Sequence, residues 1–109
     1  MKKIYIASPY SDPDPEVMRL RYRRVCKIVA ELMEQYPDHL FFSPIAHSHG
    51  LAEYGFIDPG HETWMWVDKA FMNLMDEVWI VAMQGRYGSD GIKAEIQHAK
   101  ETNKPVRWM

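Results

Sequence analysis

A chain of 109 residues has room for one domain, near the lower end of what buries an adequate core without disulfides or metals, so association into an oligomer would help it. Its 47% hydrophobic and 26% charged residues exclude a disordered or low-complexity chain. Lys and Arg number 13 against 15 Asp and Glu, and the formal charge of -2 gives no general attraction to a nucleic acid polymer.

Cys26 stands alone, with no C-x-x-C, so neither a disulfide framework nor a thiol redox motif is expected, and the residue reads as a small core side chain. The amino-terminal run MKKIYIAS has an apolar stretch too short for the core of a signal peptide. No run approaches membrane-spanning length, and the expectation is a cytoplasmic protein with no membrane partner. The four arginines of RLRYRR, residues 19–24, spread around a helix axis as a solvated face, with a phosphate as the alternative partner.

In chain order, KKIYIAS is a short β-branched and aromatic run that predicts a buried first strand. SPYSDPDP breaks it, and Asp14 before Pro15 fits an N-cap and first helical position. Met18, Tyr22, Val25, Val29 and Leu32 then recur at helical spacing through about Tyr36. HLFFS predicts a second strand, and Pro44 opens a segment through Glu62 that reads as long and irregular because Gly50, Gly55, Pro59 and Gly60 interrupt any period.

A helix is predicted from about Glu62 to Leu74 with Trp64, Val67, Phe71 and Leu74 as its apolar stripe, followed by a buried strand, EVWIVAM. The stretch GRYGSDGIKAEIQHA, residues 85–99, supplies a glycine-rich turn and a last helix with Ile92, Ile96 and Ala99 inward. KPVRWM is a short final strand or tail. Alternation of this kind predicts an α/β fold, a parallel sheet of four to five strands with helices on both faces, which binds ligands beyond the carboxyl ends of its strands.

Two turns meet at that edge, the one after the first strand, Ser8–Ser11, and the one after the third, Gln84–Gly91. Gly85, Gly88 and Gly91 permit close approach of backbone to a ligand, and Ser89 either caps the following helix or donates to a phosphate. Glu95 flanks the inward stripe of that helix, and Asp68, four after Trp64 and three before Phe71, falls on a side expected to be buried, where a charge needs a partner or a task. Two carboxylates beside an anion-binding turn suggest glycosidic-bond chemistry.

The residues also resemble the nucleoside 2-deoxyribosyltransferase superfamily, including its small deoxynucleoside 5'-monophosphate N-glycosidases. The resemblance rests on IYIASPY, FSPIAHSHGLA, W-x-x-x-D at Trp64 to Asp68, MDEVWIV and GSDGIKAEIQHAKETNKPV. It implies a three-layer Rossmann or flavodoxin-like fold and cleavage of the N-glycosidic bond of a (deoxy)nucleoside or its 5'-monophosphate. Glu95 would be the nucleophile at C1', Asp68 would position the sugar or assist the leaving base, and Tyr10 would orient the glutamate. Ser8, Ser11, His47, Gly88, Ser89 and Gly91 would contact substrate, and Arg19 or Arg21 would reach a phosphate. The same resemblance implies a homodimer or higher homo-oligomer and no cofactor. Hydrolysis is favoured over transfer because a short chain offers little surface for an acceptor base.

Three rivals stand beside this reading. His47, His49, His61 and Glu62 would have to converge for a metal-dependent hydrolase. A non-catalytic nucleotide-binding module would keep the fold and the carboxylates without cleavage. A structural protein would leave both carboxylates merely solvated. Trp64, Trp66 and Tyr87 are candidates for stacking on a base, against a plain core role.

Overall fold

Strand β1 (Lys3–Ala7) occupies the middle of the sheet and explains its own composition: Ile4, Tyr5, Ile6 and Ala7 are all fully buried because the strand is covered on both faces. Strand β2 (Leu40–Phe42) pairs with one edge of β1 and β3 (Glu77–Ile80) with the other, and β4 (Val106–Trp108) lies beyond β3. All pairings are parallel, with Tyr5 opposite Phe42 on one side and opposite Val78 on the other. The computed structural model describes residues 1–55 and 61–109; residues 56–60, with Pro59 and Gly60 among them, and the side chains of His61 and Glu62 lie outside the described residues.

Helix α1 (Pro15–Gln35) starts where the sequence signals it, with the Asp14 carboxylate accepting from the Glu16 amide at 2.9 Å and Pro15 in the first turn. Helix α2 (Pro44–Glu53) overturns the expectation of an irregular segment. Ser43 caps it by accepting from the Ala46 amide at 3.1 Å, and Pro44 follows in the same cap-then-proline order that opens α1. Helix α3 (His61–Asn73) leads into β3, and α4 (Asp90–Glu101) begins with Ser89 accepting from the Ile92 amide at 3.2 Å. Asn103, at φ 57°, takes the left-handed conformation that ends α4, and the Lys104 amide returns to the Ala99 carbonyl at 2.8 Å.

Period-two alternation in the central strands sends side chains into two cores. Ile4, Ile6, Trp79 and Val81 meet Val25 and Leu32 of α1 on one face. Tyr5, Ala7, Val78 and Ile80 meet Met72, Met75, Ile92 and Ala99 of the α3–α4 layer on the other. The result is the expected small Rossmann or flavodoxin-like α/β fold, with four parallel strands and helices on both faces among the described residues. The chain leaves β1 toward β2 and leaves β3 toward β4, in opposite directions across the sheet. The loops after β1 and β3 therefore part and leave a crevice at their carboxyl ends.

Two packing expectations are corrected. Cys26 is half-buried rather than a core residue. Leu74 lies just past the end of α3 and is 64% exposed, while Met72 and Met75 fill the core on that side. Helix rotation carries position 72 inward, and the flexible methionine side chain fits the irregular space between layers. Met72→Ala should cost about 2–5 kcal/mol of stability, whereas Leu74→Ala should stay within about 0.5 kcal/mol, measured by denaturant unfolding; the reverse order would contradict the packing described.

Candidate functional site

The crevice is a cleft of about 810 Å³ walled by the loops after β1 and β3 and by parts of α2, α3 and α4. Ser8, Tyr10, Ser11, Arg21, Asp68, Gly88, Ser89, Gly91 and Glu95 all line it, so most of the residues singled out in the sequence come together there.

Glu95 reaches the cleft because of its place on α4. It follows Ile92 by three residues and precedes Ala99 by four, both buried, so helical geometry turns its carboxyl toward the sheet and leaves the residue only 6% exposed. There the Tyr5 hydroxyl donates to Glu95 Oε2 at 2.5 Å, across 90 residues of chain. Strand alternation puts Tyr5 on the α4 face of β1, opposite to its neighbours Ile4 and Ile6.

Burial pushes the Glu95 carboxyl up to about 8, the Tyr5 hydroxyl pulls it down, and the negative charge of Asp68 pushes it up again. Asp68 itself is raised to about 6 by burial. Burial, then Glu95, then Asp68 drive the Tyr5 hydroxyl well above its ordinary value, so Tyr5 stays a neutral donor. The carboxyl's protonation is thus set by its burial and by groups on two other elements, Tyr5 of β1 and Asp68 of α3.

Ser8, the residue after β1, is buried against the cleft, and its Oγ has no hydrogen-bond partner among the described residues. An unsatisfied buried hydroxyl is costly, and one that faces a cleft is available to a ligand. Arg21 ties the rim together: its Nη1 donates to the carbonyls of Ser11 at 3.0 Å and Tyr10 at 3.3 Å. Its guanidinium also lies so close to Gly85 that an added Cβ would sit 2.7 Å from Nη2, and Gly85 has φ +94°. The positive φ is what favours glycine at that turn, since the arginine tip could shift to admit a Cβ.

On the other rim the Tyr10 hydroxyl is hydrogen-bonded to His49 Nδ1 at 2.8 Å. The glutamate-orienting hydroxyl is therefore that of Tyr5, and the assignment of that role to Tyr10 is corrected. Nothing in the strand pattern distinguishes Tyr5 from a core aromatic; the signal available was its odd position in β1, which shares a face with the residues packed on α4. Two further expectations fail. Arg19 is ion-paired with Glu16 and does not line the cleft, because two residues along a helix rotate it away from Arg21. His47 is exposed and lies against the rings of Phe42 and Phe71, away from the cleft that its neighbour His49 enters.

Trp64 lines the cleft, whereas Trp66 is exposed outside it and Tyr87 stacks on Trp108 with ring centres 5.4 Å apart. Ser89 has taken the capping role, and with Gly88 and Gly91 it opens the amino-terminal end of α4 to the cleft. Among the described residues no group of three or more His, Cys, Asp or Glu side chains gathers at metal-binding distance. No helix among the described residues is long and apolar enough to cross a membrane.

The family described as a domain of unknown function, DUF1937, matches residues 2–109. The chain belongs to that family. No curated protein matches it. The DUF1937 match spans both sheet edges and every wall of the cleft, so the site is part of the family's domain rather than an appended element.

Glu95 sets a pH dependence of folding. Its folded-state value of about 8 lies above its ordinary 4.5, so between those values the folded chain holds more protons than the unfolded one and stability falls as pH rises. Glu95→Gln removes that slope. The melting temperature of the variant relative to the wild type should rise from about pH 5 to about pH 8, measured by calorimetry; a difference independent of pH would show a carboxyl with an ordinary value.

Proposed function

We propose that the protein cleaves the N-glycosidic bond of a (deoxy)nucleoside or its 5'-monophosphate, with Glu95 as the nucleophile. The observation that carries this reading is the Glu95 carboxyl, buried at the sheet's carboxyl edge, facing a nucleotide-sized cleft and held by the Tyr5 hydroxyl. The resemblance to the nucleoside 2-deoxyribosyltransferases supports the same assignment.

In this mechanism one Glu95 oxygen attacks C1' as the bond to the base lengthens. Positive charge develops on the sugar ring and is stabilised by the carboxylate beneath it. The Tyr5 hydrogen bond fixes the rotamer of Glu95 and leaves its second oxygen for the sugar. Asp68 lines the same cleft and engages a sugar hydroxyl, and the Ser8 hydroxyl, unpartnered among the described residues, and the open end of α4 serve the 5' side. Water then releases the sugar from Glu95, or a second base takes it; hydrolysis is the favoured course. A carboxylate nucleophile of this kind needs no metal. The reading also implies a cytoplasmic protein and a homo-oligomer.

One observation favours an alternative. With its value of about 8, Glu95 favours the protonated form at neutral pH, and a neutral carboxyl suits a nucleotide-binding module without catalysis.

Base release by chromatography from ribo- and deoxynucleosides and their 5'-monophosphates, with and without a second free base, separates the two. The expected result is release by the wild type and a loss of at least about 1,000-fold in Glu95→Ala. Equal release by both proteins would remove Glu95 as nucleophile, and ligand-induced thermal stabilisation without release would favour the binding module. Because the nucleophile must be ionised, kcat/KM should rise with pH and level off above about 8, following the free Glu95 carboxyl; a profile flat across that range would contradict the role.

A further inference from the structure

The charge of the cleft is one-sided. Asp12, Asp68, Asp90 and Glu95 line it, and Arg21 is the one lysine or arginine that does so among the described residues. Arg21 directs Nη1 at the carbonyls of Ser11 and Tyr10 on the rim. Residues 56–62, FIDPGHE, contain neither lysine nor arginine. The whole chain balances 13 Lys and Arg against 15 Asp and Glu, so four carboxylates beside one guanidinium are a local concentration of negative charge. The Ser8 hydroxyl, buried and without a hydrogen-bond partner among the described residues, separately marks the same cleft as a place for a ligand.

Glu95 narrows what that ligand carries. Burial and the charge of Asp68 push its carboxyl up, and the group that pulls it down is the neutral Tyr5 hydroxyl rather than a cation. Attack on C1' needs the ionised form. A positive charge brought in by the substrate would favour it.

We propose that the substrate is the N-glycoside of a cationic base, an N-alkylated purine or a pyridinium, whose positive charge is held by the carboxylates of the cleft. The inference rests on the N-glycosidase reading and names the leaving group for it. As the bond from C1' to the ring nitrogen breaks, its electron pair neutralises the base, and an oxygen of ionised Glu95 forms the bond to C1'. The base leaves without taking a proton. Water then attacks C1', Glu95 departs as carboxylate, and the proton lost by the water passes to solvent, one per turnover.

A neutral base would fare worse in this cleft. Its departure builds negative charge on the ring in a space that already holds carboxylates, and the ring needs a proton to leave. With a cationic base, positive charge moves from the ring to the sugar as the bond breaks. The carboxylates then have a cation to stabilise from binding through to attack.

The test measures base release from N7-methyladenosine 5'-monophosphate, whose methyl group fixes a positive charge on the base, and from adenosine 5'-monophosphate. Their 2'-deoxy and unphosphorylated counterparts and nicotinamide mononucleotide complete the panel. Cationic glycosides are intrinsically more labile, so each kcat/KM is divided by the uncatalysed rate of release. The quotient should be at least about tenfold larger for the methylated substrate than for its neutral counterpart, and the advantage should shrink as salt is raised. Asp68→Asn should reduce the advantage by about threefold or more, whereas a role confined to a sugar hydroxyl would reduce both quotients alike. Release confined to the cationic members would also bear the inference out. Equal quotients, a larger one for the neutral substrate, or an Asp68→Asn loss shared equally by both would overturn it and leave the N-glycosidase reading standing. Wild type that releases no base from any member would overturn both. If melting shows that Asp68→Asn does not fold, the salt dependence of the wild-type advantage decides.

Discussion

A carboxyl taken out of water must be met by a donor or give up its charge, and in this protein the hydroxyl of Tyr5 meets Glu95 at the point where the loops of the parallel sheet diverge. That contact joins the central strand to α4 and depends on both. Tyr5 faces Glu95 only while β1 keeps its register against β2 and β3. Glu95 faces Tyr5 only while the Ser89 cap fixes where α4 begins. The two cores exist to hold these surfaces in place, and the cleft is the space left above them.

The electrostatics follow from the same geometry. Desolvation and the charge of Asp68 favour a protonated Glu95, and the Tyr5 hydroxyl favours an ionised one. Positive charge on a sugar ring beside the carboxyl would favour the ionised form, which is the form that attacks. Arg21, by contrast, directs Nη1 at the backbone carbonyls of the rim. It helps to shape the cleft, and its guanidinium lies against Gly85, whose positive φ suits a glycine.

Much of this was legible in the sequence. Strand and helix periodicity placed β1, α1, α3, β3 and α4, and Asp14–Pro15 and Ser89 announced their caps. Glu95 and Asp68 stood out as carboxylates on apolar helix sides. The failures have separate causes. Helix α2 was obscured by Gly50 and by the weak amphipathy of its short run, although Ser43–Pro44 repeats the Asp14–Pro15 signal. With α2 read as a loop, nothing separated His47 from His49, whereas helical rotation sends one to the Phe42–Phe71 surface and the other to Tyr10. The same two-residue rotation divides Arg19 from Arg21. Tyr5 was invisible as a site residue because its partner is 90 positions away, and no local pattern encodes a contact of that range.

The central claim is that Glu95 forms a bond to the sugar. The most direct test is intact-protein and peptide mass spectrometry after incubation with a 2'-fluoro-arabino nucleotide. The fluorine slows release of the sugar more than its capture, so a covalent glycosyl-enzyme accumulates. The account predicts an adduct of one sugar phosphate per chain, mapped to Glu95 and absent from Glu95→Gln. Base release with no adduct, or an adduct on another residue, would contradict it.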